Sequence, residues 1–152
     1  LKNKIKFKIL KIGKSINEVK NKNFKKENNL ENIVSIKNFL DNPYPFIKNS
    51  DIMISTSKYE GLPNVLLEAL TLNKFVISSN CPTGPAEILD NGKGGLLFKT
   101  QDYKDLAKKI LFYSSNKIIC KKMLKYSKTR LVRFDYKKNL NRHLILINSL
   151  IS

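Results

Sequence analysis

Acidic side chains are scarce in this sequence. The 152-residue chain has 12 Asp and Glu against 29 Lys and Arg, a formal charge of +17, which implies loose attraction to anionic membranes or nucleic acid. The lysines run through nearly the whole length among many asparagines, the mark of a Lys/Asn/Ile-rich composition rather than of a binding stripe. No aromatic stacking platform or basic recognition motif accompanies them, so no specific nucleic-acid partner is expected. Cysteine is nearly absent as well. Cys81 and Cys120 lie far apart and lack metal-ligand spacing, which argues against a cysteine metal site and for a reduced, cytoplasmic setting. The single histidine, His143, falls in an expected C-terminal helix, a structural or exposed position rather than a catalytic one. No signal peptide is expected, and no apolar run is long enough to cross a bilayer. Internal repeats and disordered linkers are also missing.

What is present fits one globular domain with a core, since 41% of the residues are apolar. Ile5–Ile12 alternates apolar residues with lysine before Gly13, as a strand near a sheet edge would. Ser15–Asn29 is polar, with weak helical spacing through Ile16, Val19 and Phe24, and reads as a helix or loop. Ile33–Ile36 is a second short strand, followed by the turn residues Asp41, Asn42 and Pro43 and about one helical turn over Tyr44–Asn49. Asp51–Ser55 is short and apolar enough for a strand buried on both faces. A helix follows from Pro63, then a parallel-type strand over Lys74–Ser78, which together make a βαβ unit. Pro85–Leu89 is a short helix with Glu87 in its first turn, a second helix start facing toward an anion. After the turn cluster Asn91–Gly95 come the strand Leu96–Phe98 and helices over Tyr103–Tyr113, Lys117–Arg130 and Tyr136–Leu150. The alternation predicts an α/β fold with a Rossmann-like, mainly parallel sheet and flanking helices. Ligands in such sheets bind beyond the carboxyl ends of the strands, where Ser55–Asn64 and Ser79–Pro85 would lie.

The stretch Ser57–Leu72, SKYEGLPNVLLEALTL, has the layout of a helix meeting a phosphate. Pro63 suits the first helical position. The amides of Asn64, Val65 and Leu66 have no acceptor inside the helix, and the dipole adds positive charge at that end. Gly61 lets the backbone come close. Glu60 precedes the helix, and Glu68 lies one turn below Asn64 on the same face. The span from Pro63 to Glu68 is on the order of 8 Å, about the reach from a phosphate to a ribose. Spacing alone leaves a second reading open and favours it: both glutamates merely suit a helix N-terminus.

The chain resembles the donor-binding domain of family 4 glycosyltransferases, retaining enzymes of the GT-B fold. The resemblance rests on SKYEGLPNVLLEAL, whose two glutamates are separated by seven residues, followed in order by CPTGPAEIL and NGKGGLLF. KILKIG, IVSIKNFLDNPYPFIKNSD and DYKDLAKKI agree more weakly, so that it extends to about Asn116. It implies that Glu60 faces the donor sugar near the reacting carbon, as the catalytic position, and that Glu68 accepts hydrogen bonds from the ribose diol. Gly61, Leu62, Pro63, Asn64 and Val65 would bring amides to the diphosphate or sugar. Asn38 and Phe39 would pass near the base, with Asn38 standing where the family usually has glycine. Thr83 and Gly84, with Pro85 and Glu87, would border the cleft.

The implied reaction is transfer of a sugar, with retention, from a nucleotide-diphosphate sugar to an acceptor hydroxyl in polysaccharide or lipopolysaccharide-type assembly. The donor leans to a UDP-hexose or UDP-N-acetylhexosamine, no cofactor or metal is expected, and the acceptor would be a carbohydrate or lipid-linked glycan. The expected location is cytoplasmic, with peripheral contact to the anionic inner face of the membrane. The resemblance begins at the family's second donor-domain strand. The expectation is therefore a partial donor domain over residues 1–152, with C-terminal helices over about 103–150, lacking the acceptor domain and the first donor-domain strand. A gap or re-paired seam in the sheet and little activity alone would follow. Two alternatives compete: a basic module for RNA or membrane, and a non-catalytic nucleotide-binding remnant.

Overall fold

A computed structural model of the chain describes residues 6–13 and 18–151. They fall into two compact units, Leu1–Phe46 and Ile47–Ser152. The first holds β1 (Ile9–Ile12), α1 (Glu18–Glu27) and β2 (Val34–Lys37). β1 and β2 run parallel, with Ile9 opposite Val34 and Ile12 opposite Lys37. The strand expected from Ile5 starts only at Ile9, and its first residue lies outside the described residues. The polar stretch left as helix or loop is a regular helix. Asn29 stops it at φ 53°, with Leu30 N–H on Lys25 O at 2.8 Å and Asn29 N–H on Lys26 O at 3.2 Å, the paired bonds of a Schellman end.

The one-turn helix α2 (Tyr44–Lys48) straddles the division. The second unit then runs β3 (Ile52–Ser55), α3 (Asn64–Thr71), β4 (Phe75–Ser79), α4 (Pro85–Ile88), β5 (Leu96–Phe98), α5 (Tyr103–Ser115), α6 (Lys117–Arg130), a 3-10 turn over Leu131–Phe134, and α7 (Tyr136–Ile151). Its strands form a parallel sheet in the order β3-β4-β5. The α/β architecture expected from the sequence is therefore present, and among the described residues the strands make two separate sheets, in keeping with the expected gap.

β4 is the centre of the second unit, buried at every position. Its side chains alternate between two cores, as strand geometry requires. Val76 joins Leu66, Ala69 and Leu70 of α3 with Ile88 and Leu89. Phe75 and Ile77 join Phe98 and Cys120 on the other face, under Leu106 and Ile110 of α5 and Met123 of α6. The Phe75 ring stacks on Tyr113 at 5.2 Å between centroids. β3 was expected to be buried on both faces. It is half-buried at Ile52, Met53 and Ile54, because it is an edge strand with a single neighbour in its sheet.

The turn out of α3 fixes how β4 begins. Asn73 adopts φ 61°, Lys74 N–H reaches Ala69 O at 2.8 Å, and Asn73 N–H reaches Leu70 O at 3.1 Å. α4 ends the same way at Asp90, with Asn91 N–H on Ala86 O at 2.8 Å. Asn and Asp thus do at three helix ends what glycine more often does.

Candidate functional site

Strand register brings the carboxyl ends of β3 and β4 level, since Ser55 pairs with Ser78. The two loops leaving that edge, Thr56–Pro63 and Asn80–Gly84, are fastened to each other. Ser79 Oγ donates to Ser57 O at 2.6 Å, and Thr83 Oγ1 donates to Glu60 O across 23 residues of sequence. Gly84 closes the clasp. At φ 77°, a Cβ there would sit 2.2 Å from Gly61 O and 2.5 Å from Pro63 Cδ, so only glycine allows this approach. Thr83 itself holds φ 61°, a rare state for a β-branched residue and one that concentrates at functional loops.

The expected site residues of the second unit therefore converge. Glu60, Gly61, Leu62 and Pro63 lie on one loop, Thr83 and Gly84 on the loop bonded to it, and Asn64, Val65 and Glu68 on α3. Glu60 and Glu68 are both half-buried, while Asn64 is exposed at the helix start. Two details differ from the sequence reading. Pro63 is the N-cap of α3 rather than its first residue, with ψ 92° in the extended region. Its carbonyl takes Leu66 N–H at 3.0 Å, so the amides left without an intrahelical acceptor are those of Asn64 and Val65. Gly61 is not tied to glycine by the fold: a Cβ there meets nothing within 4 Å.

The second anion-facing helix start expected at Pro85 is weaker than it looked. α4 is a single turn of 4 residues, and Ile88 N–H is already bonded to Gly84 O at 2.9 Å, so few aligned peptide dipoles back it. Asn38 and Phe39 lie in the first unit, in the segment after β2. Both are exposed, Phe39 by 78%, and Asn38 is not among the residues with positive φ, so the backbone there does not require the family's glycine. Ser57 and Ser79, which tie the loops, were not singled out from the sequence. A serine that clasps a loop carries the same local signal as any surface serine. His143 is exposed on α7, as expected.

Among the described residues, no group of three or more His, Cys, Asp or Glu could hold a metal ion. What the site offers is two carboxylates, free amides and the positive end of α3. That set suits a ligand that is anionic at one end and rich in hydroxyls at the other.

Comparison with known proteins matches residues 1–130 to the family of glycosyl transferases group 1. A poly(ribitol-phosphate) alpha-N-acetylglucosaminyltransferase of Staphylococcus aureus is 27% identical over 124 residues, 81% of this chain and 25% of that one. A Campylobacter jejuni N,N'-diacetylbacillosaminyl-diphospho-undecaprenol alpha-1,3-N-acetylgalactosaminyltransferase is 30% identical over 105 residues, 69% of this chain and 28% of that one. The chain thus spans under a third of the length of these relatives. Among solved structures, Anabaena HepE in complex with UDP superposes with a TM-score of 0.80 at 18% identity, covering 94% of this chain and 41% of that one. With the family match covering most of its length, this chain belongs to the group 1 glycosyl transferases, of the GT-B fold.

Proposed function

We propose that these residues form the nucleotide-sugar side of a retaining glycosyltransferase. The donor is a UDP-linked hexose, with N-acetylhexosamine favoured because both sequence relatives carry an N-acetylhexosaminyl activity in their names. The acceptor is a hydroxyl on a poly(ribitol-phosphate)-like polymer or a diphospho-undecaprenol-linked glycan, as the names of those two relatives suggest. The observation that carries the proposal is the clasp between the Glu60 and Thr83 loops at the head of α3, inside a chain of this family.

In this reading the free amides of Asn64 and Val65 and the positive end of α3 meet the diphosphate. Negative charge grows there as the sugar departs, and donors fixed in advance lower the barrier without a divalent ion. Gly61, whose missing side chain would face open space, lets the backbone approach the ligand. Glu68 accepts from the two ribose hydroxyls, and Glu60 faces the sugar hydroxyls beside the reacting carbon. These residues span under a third of the length of the named relatives, and little transfer is expected from them alone.

Calorimetric titration with UDP and GDP, with and without EDTA, tests the reading. UDP should bind more tightly than GDP, EDTA should change neither, and no UDP-sugar turnover should be seen. Equal affinity for UDP, GDP and inorganic pyrophosphate, or binding abolished by EDTA, would overturn it.

A further inference from the structure

α3 and α4 both begin at the clasp, and the far ends of both are tied to α6 and the 3-10 turn that continues it. Lys128 Nζ donates to Asn73 Oδ1, in the turn out of α3, at 2.6 Å. Beyond α4, the Tyr126 hydroxyl donates to Asp90, and the buried Ser127 Oγ donates to Gly94 O. Ser127 packs so closely that a Cβ at Gly94 would overlap its hydroxyl. One bond reaches α4 itself. Arg133 Nη2, from the 3-10 turn, donates to Glu87 O at 3.1 Å.

Arg133 is not a free surface cation. It is half-buried, its Nε donates to Arg130 O at 3.3 Å, and its guanidinium lies over the Phe134 ring, 5.3 Å from the centroid. Phe134 in turn packs against the core that contains Ile88 and Leu89. The head group is therefore held in place while it holds α4. A helix of 4 residues needs such a tie, because the cost of ordering its first turn is offset by few hydrogen bonds of its own. It is also only about 6 Å long, so a shift at Glu87 is carried to its start, where Gly84 O receives Ile88 N–H at 2.9 Å. Gly84 meets Gly61 and Pro63 with no room for a Cβ, and Thr83 beside it is bonded to Glu60 O.

We propose that Arg133 is a positioning residue for the donor site: by holding Glu87 O it sets α4, and through Gly84 and Thr83 it sets the loop that carries Glu60. Its action runs through α4 rather than through contact with a ligand. This deepens the transferase reading and rests on it.

The test compares R133M with R130M in the 152-residue chain. Each removes one neighbouring cation and keeps an aliphatic stem, but among the described residues the Arg130 side chain makes no hydrogen bond to α4. Circular dichroism checks that both variants fold. Without ligand, the NMR amide signals of Thr83, Gly84 and Ile88 should move in R133M and stay in place in R130M. At physiological salt R133M should bind UDP roughly three- to tenfold more weakly than the unaltered chain, and R130M should stay within about twofold of it. Three outcomes overturn the proposal and leave the transferase reading standing: unmoved Thr83 and Gly84 signals in R133M, UDP bound equally well by R133M and the unaltered chain, and equal weakening in R133M and R130M, which assigns the effect to lost charge. An unaltered chain that binds no UDP overturns the transferase reading and this role with it.

Discussion

At the scale of single residues, Gly84 and Glu68 separate construction from recognition. Gly84→Ala must push a Cβ into Gly61 O and Pro63 Cδ at a φ that alanine disfavours. It should cost on the order of 1–3 kcal/mol and weaken nucleotide binding with it, both readable by thermal melting with and without UDP. Glu68→Gln keeps the size of a half-buried side chain but removes the charged acceptor. UDP affinity should fall roughly tenfold with the melting midpoint little changed. That Glu60 and Gly61 share a turn and Glu68 lies on the helix after it could be read from the sequence because the placement is local, while their roles rest on the resemblance. The bonds from Ser79 to Ser57 and from Thr83 to Glu60 could not, because they join segments more than twenty residues apart.

One ionic device away from the site has a pH signature. The Tyr126 hydroxyl donates to Asp90, which holds the Asp90 carboxyl below the usual aspartate range and pushes the Tyr126 phenol up. The Asp105 amide likewise lowers Asp102. In acid the folded chain therefore binds fewer protons than the unfolded chain. Stability from these carboxylates is fully present above about pH 4 and is lost as pH falls through their lowered values. At the other end, the raised Tyr126 makes stability fall as pH rises beyond about 10. Urea unfolding across pH should show both slopes, and Tyr126→Phe should flatten them.

At the scale of elements, α3 is where sequence and structure agree most closely. Its apolar residues pack on β4 with Leu66, Ala69 and Leu70 fully buried. Leu66→Ala should cost about 2–5 kcal/mol in denaturant unfolding, far more than a change at the exposed Thr71. β5 and α6 also have the ends expected of them, since Asn91–Gly95 and Asn116 punctuate the chain there. β3 misled because burial on both faces depends on how many strands flank it, and an apolar run of 4 residues does not state its neighbours. The start of α3 shifted by one residue because whether Pro63 or Asn64 is first depends on the ψ of Pro63, which the residue type does not fix. In α1 the weak apolar spacing is faithful to a helix whose Val19 and Phe24 stay exposed, so there was little amphipathic signal to read.

For the molecule as a whole, the two sheets and the excess of cations shape what can be measured. The class of fold was legible because strands and helices alternate, and the interruption of the sheet was expected from the resemblance, which starts at the family's second donor-domain strand; no local pattern names which strands pair on either side of it. With a charge of +17, any polyanion will adhere at low salt, so binding has to be located rather than merely detected. Diffuse attraction weakens steeply with added salt, while a ligand held by fixed amides and two carboxylates stays at one place. The most direct measurement is a backbone amide NMR titration of the chain with UDP at physiological salt. The account predicts saturable shifts centred on residues 57–68 and 83–84, reduced in Glu68→Gln. Shifts spread over the lysine-rich helices and erased by salt, or no shifts at Gly61, Asn64 and Val65, would contradict it.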